Sequence, residues 1–543
     1  MSRGMPRSLS LSRNFILVFL VAAVCMPAAF ASGPYVVGSG NTVTADPNIY
    51  RPSTTPCVVQ LFEGASFYNF NVEDFTYAPP ADCPGPWAKV ILEADINLNA
   101  GIQYDRTANF WLGPVNIYFG STAEPSPNLG PSWHIENDLT DYSSLFYAAQ
   151  SGQAVIGNTL CCGLTSTIYA SASIEFYPLA PGQTAPRVAD SVLALSAGPT
   201  GGTVSLNSGT DTLSATFTMP TNIENAYLDV YSQSQSDDEF WYTCVPNDVA
   251  TELESCGNTG FRETEITIDG KAAGVAPVYP WIFTGGIDPY LWFPIPGVQT
   301  LNFTPYRVDL TPFAGILSNG EQHTVAMSVY NADDYFSATA SLLLYLDAGS
   351  TQVTGDIMQD TLTAPNPVVV ENLNSGATIV GSVGVRSQRQ FTIAGYANTS
   401  HGKVTTTVAQ TVAFDSNQHF NITGSTYVQQ IALGSSVNST TTTTGGGATA
   451  VTTESFNFPM NLEIAENFLS NGDVNLTTTV SQTDDVTVNT TQDGKAFYSS
   501  SLSNDGQHQD TLILDSSFNL LGNTNQSAAQ QYHYSNTPGA NYN

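Results

Sequence analysis

Residues 101–113, GIQYDRTANFWLG, set an acid beside a base in a run that alternates like a β-strand. In that register Asp105, Thr107, Asn109 and Trp111 share one face. Tyr104, Arg106, Ala108, Phe110 and Leu112 share the other. A carboxylate, an amide and an indole side by side can activate a water and hold a sugar. Arg106, on the apolar face, needs a carboxylate or several carbonyls, because an unpaired buried charge is costly. The structural alternative is a solvated strand face with one arginine that locks the strand.

Three further stretches gather reactive side chains. QSDDEFWYTC (235–244) places three acids, ending in Glu239, directly before Phe240, Trp241 and Tyr242. Carboxylates beside aromatic rings suit a carbohydrate site; a solvated acidic turn is the alternative. CGNTGFRETEITIDGK (256–271) carries Asn258 and an inward-facing Arg262, for which an ion pair with the 237–239 acids is expected. Its Asp269-Gly270 pair reads as a hairpin turn. PVYPWIFTGGIDPYLWFPIPG (277–297), with Trp292, is rich in proline and aromatics. It serves either as interdomain packing or as one wall of a cleft. Smaller signals are Glu124 in STAEP (121–125) and Asn158 in IGNTLCC (156–162).

Other chemistries lack their motifs. The chain holds no GxSxG, HExxH or GxxxxGK, and no DxDxDG calcium loop. His134 and His323 stand apart from any histidine or cysteine cluster, so no metal site and no cofactor are expected. Carboxylates and amides must carry the reaction.

The elements that position these groups read as β throughout. Short alternating runs such as WAKVILEADINLN (87–99), STIYASASIEFYP (166–178) and TASLLLYLDAG (339–349) are separated by Gly and Pro. The spacing predicts two consecutive β-sandwiches, residues 45–187 and 188–348, and a Ser/Thr/Asn-rich β domain over 349–543. ENDLTDY (136–142) and RVDLTPF (307–313) suggest an internal duplication. DLTDYSSLF (138–146) predicts one or two helical turns capped by Thr140 or Asp141. SSVNSTTTTTGGGATAVTTE (435–454) is expected to be a flexible linker or loop.

Residues 1–31 have the form of a signal peptide. Arg3, Arg7 and Arg13 precede a short apolar run, and Ala29-Phe30-Ala31 offers a cleavage site. A secreted or periplasmic, water-soluble and monomeric product is expected, without membrane insertion. The net charge is −32, and loss of the three leader arginines lowers it to −35. Such a surface excludes nucleic acid as a partner, since nothing would neutralise phosphates. After Cys25 leaves with the leader, local pairing predicts the disulfides Cys57–Cys83 and Cys244–Cys256, with Cys161–Cys162 as either a strained vicinal disulfide or two partners for other chains.

YDRTANFWLGPVNIYFGSTAEP, WHIENDLTDYSSL, DDEFWY, GFRETEITIDGKAAGVAPVYPWIFTGGIDPYLWFPI and YRVDLTPFAGIL resemble the acidic peptide:N-glycanase A family. The resemblance is dense from about residue 50 to 348 and weaker beyond. More remotely, the chain is similar to flavobacterial peptide:N-glycanase, which implies two jelly rolls with a cleft between them. It also implies removal of whole N-glycans from asparagine on glycopeptides or glycoproteins. Asp105-Arg106-Thr107-Ala108-Asn109 matches that enzyme's catalytic D-R-x-A-N strand, which carries the catalytic role to Asp105. Its two other key acids align near Asn158 and Asn258, so Glu239 or Glu124 is expected to serve instead. Asn109, Trp111, Asn158, Trp241, Asn258, Arg262 and Trp292 are the expected substrate contacts. An acidic optimum follows if one of two neighbouring carboxyls must stay protonated. The asparagines at 158 and 258 leave open a non-catalytic glycan-binding protein on the same scaffold.

Overall fold

The computed structural model describes residues 49–374 and 376–537, so the expected leader lies outside the described residues. Apolar side chains recur at every second position along most strands, which gives each strand one buried face. Two four-stranded antiparallel sheets come first. One orders its strands Cys57–Phe67, Ile168–Pro178, Trp87–Leu98 and Ser132–Asp138. The other orders Val72–Tyr77, Gln150–Ile156, Thr107–Leu112 and Val115–Ser121. Their facing sides share one apolar core that includes Phe62, Phe75, Ile96, Phe110, Trp133 and Phe176.

A second pair of sheets follows. Val204–Leu206, Tyr335–Leu346, Ile223–Gln235 and Tyr306–Asp309 form one, with Ser191–Leu195 joined to Tyr335–Leu346. Leu213–Thr218, Gln322–Tyr330, Glu263–Ile268 and Lys271–Pro277 form the other. Asp269 and Gly270 both take positive φ, 51° and 75°, and close the expected hairpin between its last two strands.

The two Asp-Leu-Thr segments fold alike. Each ends a strand and opens a 3₁₀ turn, Thr140–Tyr147 in one case and Thr311–Phe313 in the other. Asp138 Oδ1 accepts from the Thr140 N–H at 3.0 Å, and Asp309 Oδ1 accepts from the Thr311 N–H at 2.9 Å. The N-cap position is therefore Leu139, not Thr140 or Asp141, and the carboxylate acceptor comes from Asp138 just before it. A carboxylate two residues ahead of a free N–H reaches it without strain.

Residues 354–536 build a nine-stranded antiparallel sheet whose longest strands run 21 residues. Its inner face, with Val385, Phe391, Phe414, Leu433 and Leu462, packs into the same core as Trp241, Phe261 and Phe313. The expected linker at 435–454 is instead two of these strands, Thr426–Gly445 and Ala448–Phe468, joined through Gly446-Gly447. Those glycines take φ of 60° and 83° and supply the turn. β-Branched threonine fits a pleated surface, so its polarity gave a false loop signal.

Cys244–Cys256 is the single disulfide among the described residues; Cys57, Cys83, Cys161 and Cys162 are free thiols. The sulfurs of Cys57 and Cys83 do meet, but as hydrogen-bonding partners. Cys161 and Cys162 are exposed neighbours. Their Cα atoms are held about 3.8 Å apart by one peptide unit. That is short of the roughly 4.4–6.8 Å usual for a bridge.

Candidate active site

The strand predicted over 101–113 begins only at Thr107, so Asp105 and Arg106 precede it. Pairing nevertheless continues past the strand end. The Arg106 N–H donates to Thr122 Oγ1 at 2.9 Å, and the Thr122 N–H to Arg106 O at 2.8 Å. This register brings Asp105 and Glu124 to the same end of adjacent chains. Thr284 then ties the 278–298 loop to both. Its Oγ1 accepts from the Glu124 N–H at 2.6 Å and donates to Thr122 O at 3.0 Å.

Gly285 consequently lies between the two acids, and its N–H donates to the Asp105 carboxylate. A Cβ built on Gly285 would sit 2.4 Å from both Asp105 Oδ1 and Glu124 Oε2. The two oxygens therefore lie within twice that distance of each other. Gly285→Ala is expected to displace both carboxylates and lower kcat by tenfold to about a hundredfold, since ångström misplacement has that effect. Circular dichroism should stay at the parent spectrum while initial rates fall.

Glu239 arrives from the second pair of sheets. It follows the turn Ser236–Asp238, which ends the strand Ile223–Gln235. Asp238 is buried in an ion pair with Arg262 at 2.8 Å. Its other oxygen accepts from the N–H groups of Asp333 and Asp334 at 2.8 and 2.9 Å. The turn cannot shift without leaving a buried charge unpaired, a loss of about 3–5 kcal/mol. Gln233 Nε2 donates to Thr107 Oγ1 at 3.1 Å, which fastens the Glu239 strand to the strand that follows Asp105.

Each acid keeps some contact with solvent while protein packs closely round it. Burial raises the Asp105 carboxyl to about 6, opposed by the Arg106 guanidinium and by the N–H groups of Asp105 and Gly285. Burial and then Asp105 hold Glu124 well above the usual range, with Arg106 opposing. Burial and then repulsion from Asp105 lift Glu239 to about 8. Acids in one another's field lose protons in succession, and Asp105, with the most donors, ionises first.

Arg106 is thus part of this cluster and not a buried arginine on an apolar face. Its Nη2 donates to Gln103 Oε1 at 2.7 Å, and its guanidinium lies 5.5 Å from the Tyr104 ring centre. Its Nε is buried without a hydrogen-bond partner.

The other expected contacts lie elsewhere. Asn109 is buried and accepts from Asn116 Nδ2 at 3.3 Å. Trp111 is buried against Gly201, where a Cβ would meet the indole at 2.5 Å. Trp241 packs on Tyr242 and Phe414 inside the core. Trp292 lies against His508 and donates to Gly286 O at 3.0 Å. The three indoles, expected to contact substrate, are all spent on packing. Asn158 is buried and donates to Phe67 O and Ser166 O at 2.8 and 3.2 Å. Asn258 sits in a left-handed turn at φ 65°, and its carbonyl accepts from Asn331 Nδ2 at 3.1 Å.

Three partly exposed tyrosines, outside the expected contacts, stand near the acids. Tyr104 and Tyr290 both sense the charge of Glu124, and Tyr335 that of Glu239. Tyr104 was legible as the residue before Asp105; only chain folding brings in the other two. A cavity of about 360 Å³ lies apart, lined in part by Asp141, Asp229, Arg307 and Asp484, and holds none of the three acids. There Asp141 and Asp229 are engaged by Arg307 at 2.5 and 2.7 Å.

Residues 46–362 match the family model described as peptide N-acetyl-beta-D-glucosaminyl asparaginase amidase A. The chain is 31% identical over 383 residues to peptide-N4-(N-acetyl-beta-glucosaminyl)asparagine amidase A of Prunus dulcis. That alignment spans 65% of this chain and 65% of the almond protein. Among solved structures, PNGase F, a glycosylasparaginase from Flavobacterium meningosepticum, aligns with a TM-score of 0.35 and 15% identity. It covers 54% of this chain and 96% of that one. PNGF-II aligns with a TM-score of 0.38 and 12% identity, over 54% and 66% of the two chains. The match to the family model extends over more than half of the sequence and takes in all three acids, and the chain belongs to the peptide N-acetyl-beta-D-glucosaminyl asparaginase amidase A family.

Proposed function

We propose that this protein hydrolyses the amide bond joining an N-glycan to asparagine in glycopeptides or glycoproteins. The observation that carries this reading is the convergence of Asp105, Glu124 and Glu239 from two separate pairs of sheets beside Arg106. The Prunus dulcis relative is named as an amidase of that bond. Ionised Asp105 takes a proton from water, whose oxygen attacks the side-chain carboxamide carbon. The Arg106 guanidinium, whose charge lies in the field of Asp105 and Glu124, offsets the negative charge that develops on the carboxamide oxygen. Protonated Glu239 or Glu124 then delivers a proton to the leaving nitrogen as the carbon–nitrogen bond breaks. Aspartate remains in the peptide, and the glycan leaves as a glycosylamine. Tyr104, Tyr290 and Tyr335 replace the expected tryptophans as rings beside the sugar.

The same reading takes the two pairs of sheets, 45–187 and 188–348, as jelly rolls, with 349–543 as a third domain. It takes the chain as a secreted or periplasmic monomer. Mass spectrometry of a treated N-glycopeptide tests it. A peptide in which Asn has become Asp supports the amidase; a residual N-acetylglucosamine means a glycosidase, and an unchanged glycopeptide means a binding protein.

The rate should follow a bell between the two carboxyl values, centred at about pH 7. It rises with pH as Asp105 ionises, near its value of about 6. It falls as Glu239 loses its proton, near about 8. Initial rates of glycan release between about pH 4 and 9 check both limbs.

A further inference from the structure

Residues 278–298 form the loop that carries Gly285 to the acids, and the nine-stranded sheet grips it along its length. Gln482 holds both ends: its Nε2 donates to Pro280 O at 2.6 Å, and its Oε1 accepts from the Val298 N–H at 3.0 Å. Gln526 Nε2 donates to Tyr290 O at 2.6 Å. His508 packs on Trp292, with its Nε2 3.1 Å from Ile295 O. At the middle of the loop, Asp288 meets Asp510 of the strand Lys495–Leu514.

These two carboxyls are 1% and 0% exposed. Asp288 Oδ1 accepts from the Tyr290 N–H at 2.9 Å, and Asp510 Oδ2 from Asn523 Nδ2 at 3.0 Å. Asp288 Oδ2 and Asp510 Oδ1 have no other donor. Two buried carboxylates in contact repel unless a proton lies between them. Among the described residues no cation faces the pair. The titratable groups packed round it are Tyr290 on the loop, His508 on the sheet and, through Tyr290, Glu124. Burial pushes His508 down to about 4, so it stays neutral and cannot neutralise the acids.

We propose that one proton shared between Asp288 and Asp510 fastens the 278–298 loop to the nine-stranded sheet and so positions Gly285 between Asp105 and Glu124. The pair does not touch the reacting atoms; it acts through the loop. The C-terminal sheet thereby becomes part of the apparatus that sets the acids, and its hold weakens as the shared proton leaves. The sign follows from the raised carboxyl of Asp288, which burial and Asp510 push to about 9. A carboxyl raised on folding adds stability below its unfolded value, and that contribution is lost as pH climbs through the folded value.

The activity readout rests on the amidase reading; the stability readout does not. In the full chain, Asp510→Ala should lower kcat on an N-glycopeptide at about pH 5 by roughly tenfold or more. Asp510→Asn should restore it to within about twofold, because the amide N–H replaces the shared proton and its oxygen still accepts from Asn523. The Tm of the wild type should fall from about pH 5 to 9, and Asp510→Asn should flatten that slope. Equal slopes, an Asn variant as impaired as the Ala variant, or an Ala variant of parent kcat would each overturn the proposal. A wild type that cleaves no glycopeptide removes the amidase reading, while the two slopes still decide whether the proton is shared.

Discussion

Asp105→Asn is expected to lower kcat for glycan release by about 10⁴-fold, the upper end of what a positioned general base contributes. The variant should fold, and its Tm should equal or exceed the parent's. Asp105 is held where burial disfavours its charge and where its charge lifts both Glu124 and Glu239. A neutral amide of the same shape relieves that repulsion and still accepts from the Gly285 N–H. Activity and stability therefore move in opposite directions, as they do where a site stores electrostatic strain. Parent-rate release by a folded Asn variant would remove Asp105 from the mechanism.

Glu239→Gln should lower kcat by about 10³-fold and abolish the alkaline limb of the rate profile. Amide hydrolysis stalls unless the leaving nitrogen is protonated, and Glu239 retains its proton up to about pH 8. Glutamine keeps the size of the side chain and cannot transfer a proton. The Asp238–Arg262 pair behind it is untouched, so the turn should hold its place. If the alkaline limb survives in the glutamine variant, Glu124 is the proton donor; Glu124→Gln should then remove the limb in its place.

Much of the site was legible in order of type but not of place. Arg262 was read as inward-facing and seeking one of the 237–239 acids, and it pairs with Asp238. Asp105, Glu124 and Glu239 were each singled out from the sequence, and the fold brings the three acids together. The three tryptophans misled because an indole beside an acid reads alike whether it covers a core or faces a ligand. Burial is a property of what packs on top, and Trp241 is covered by Phe414, 173 positions further along the chain. The threonine run at 435–454 misled for a related reason: a polar residue is compatible with the open face of a strand.

Local chemistry in the chain determined that strands alternate, that Asp269-Gly270 turns, that Asp-Leu-Thr opens a 3₁₀ turn, and that Asp105 stands beside Arg106. These depend on neighbours a few residues apart, and steric and hydrogen-bonding rules act at that range. Tertiary structure alone decided that Glu124, Glu239 and Gly285 meet Asp105, and that Asp510 reaches Asp288. Those contacts join groups from 19 to 222 residues apart. Only the packed sheets bring them close enough, and dry enough, for one carboxyl to change the proton affinity of the next.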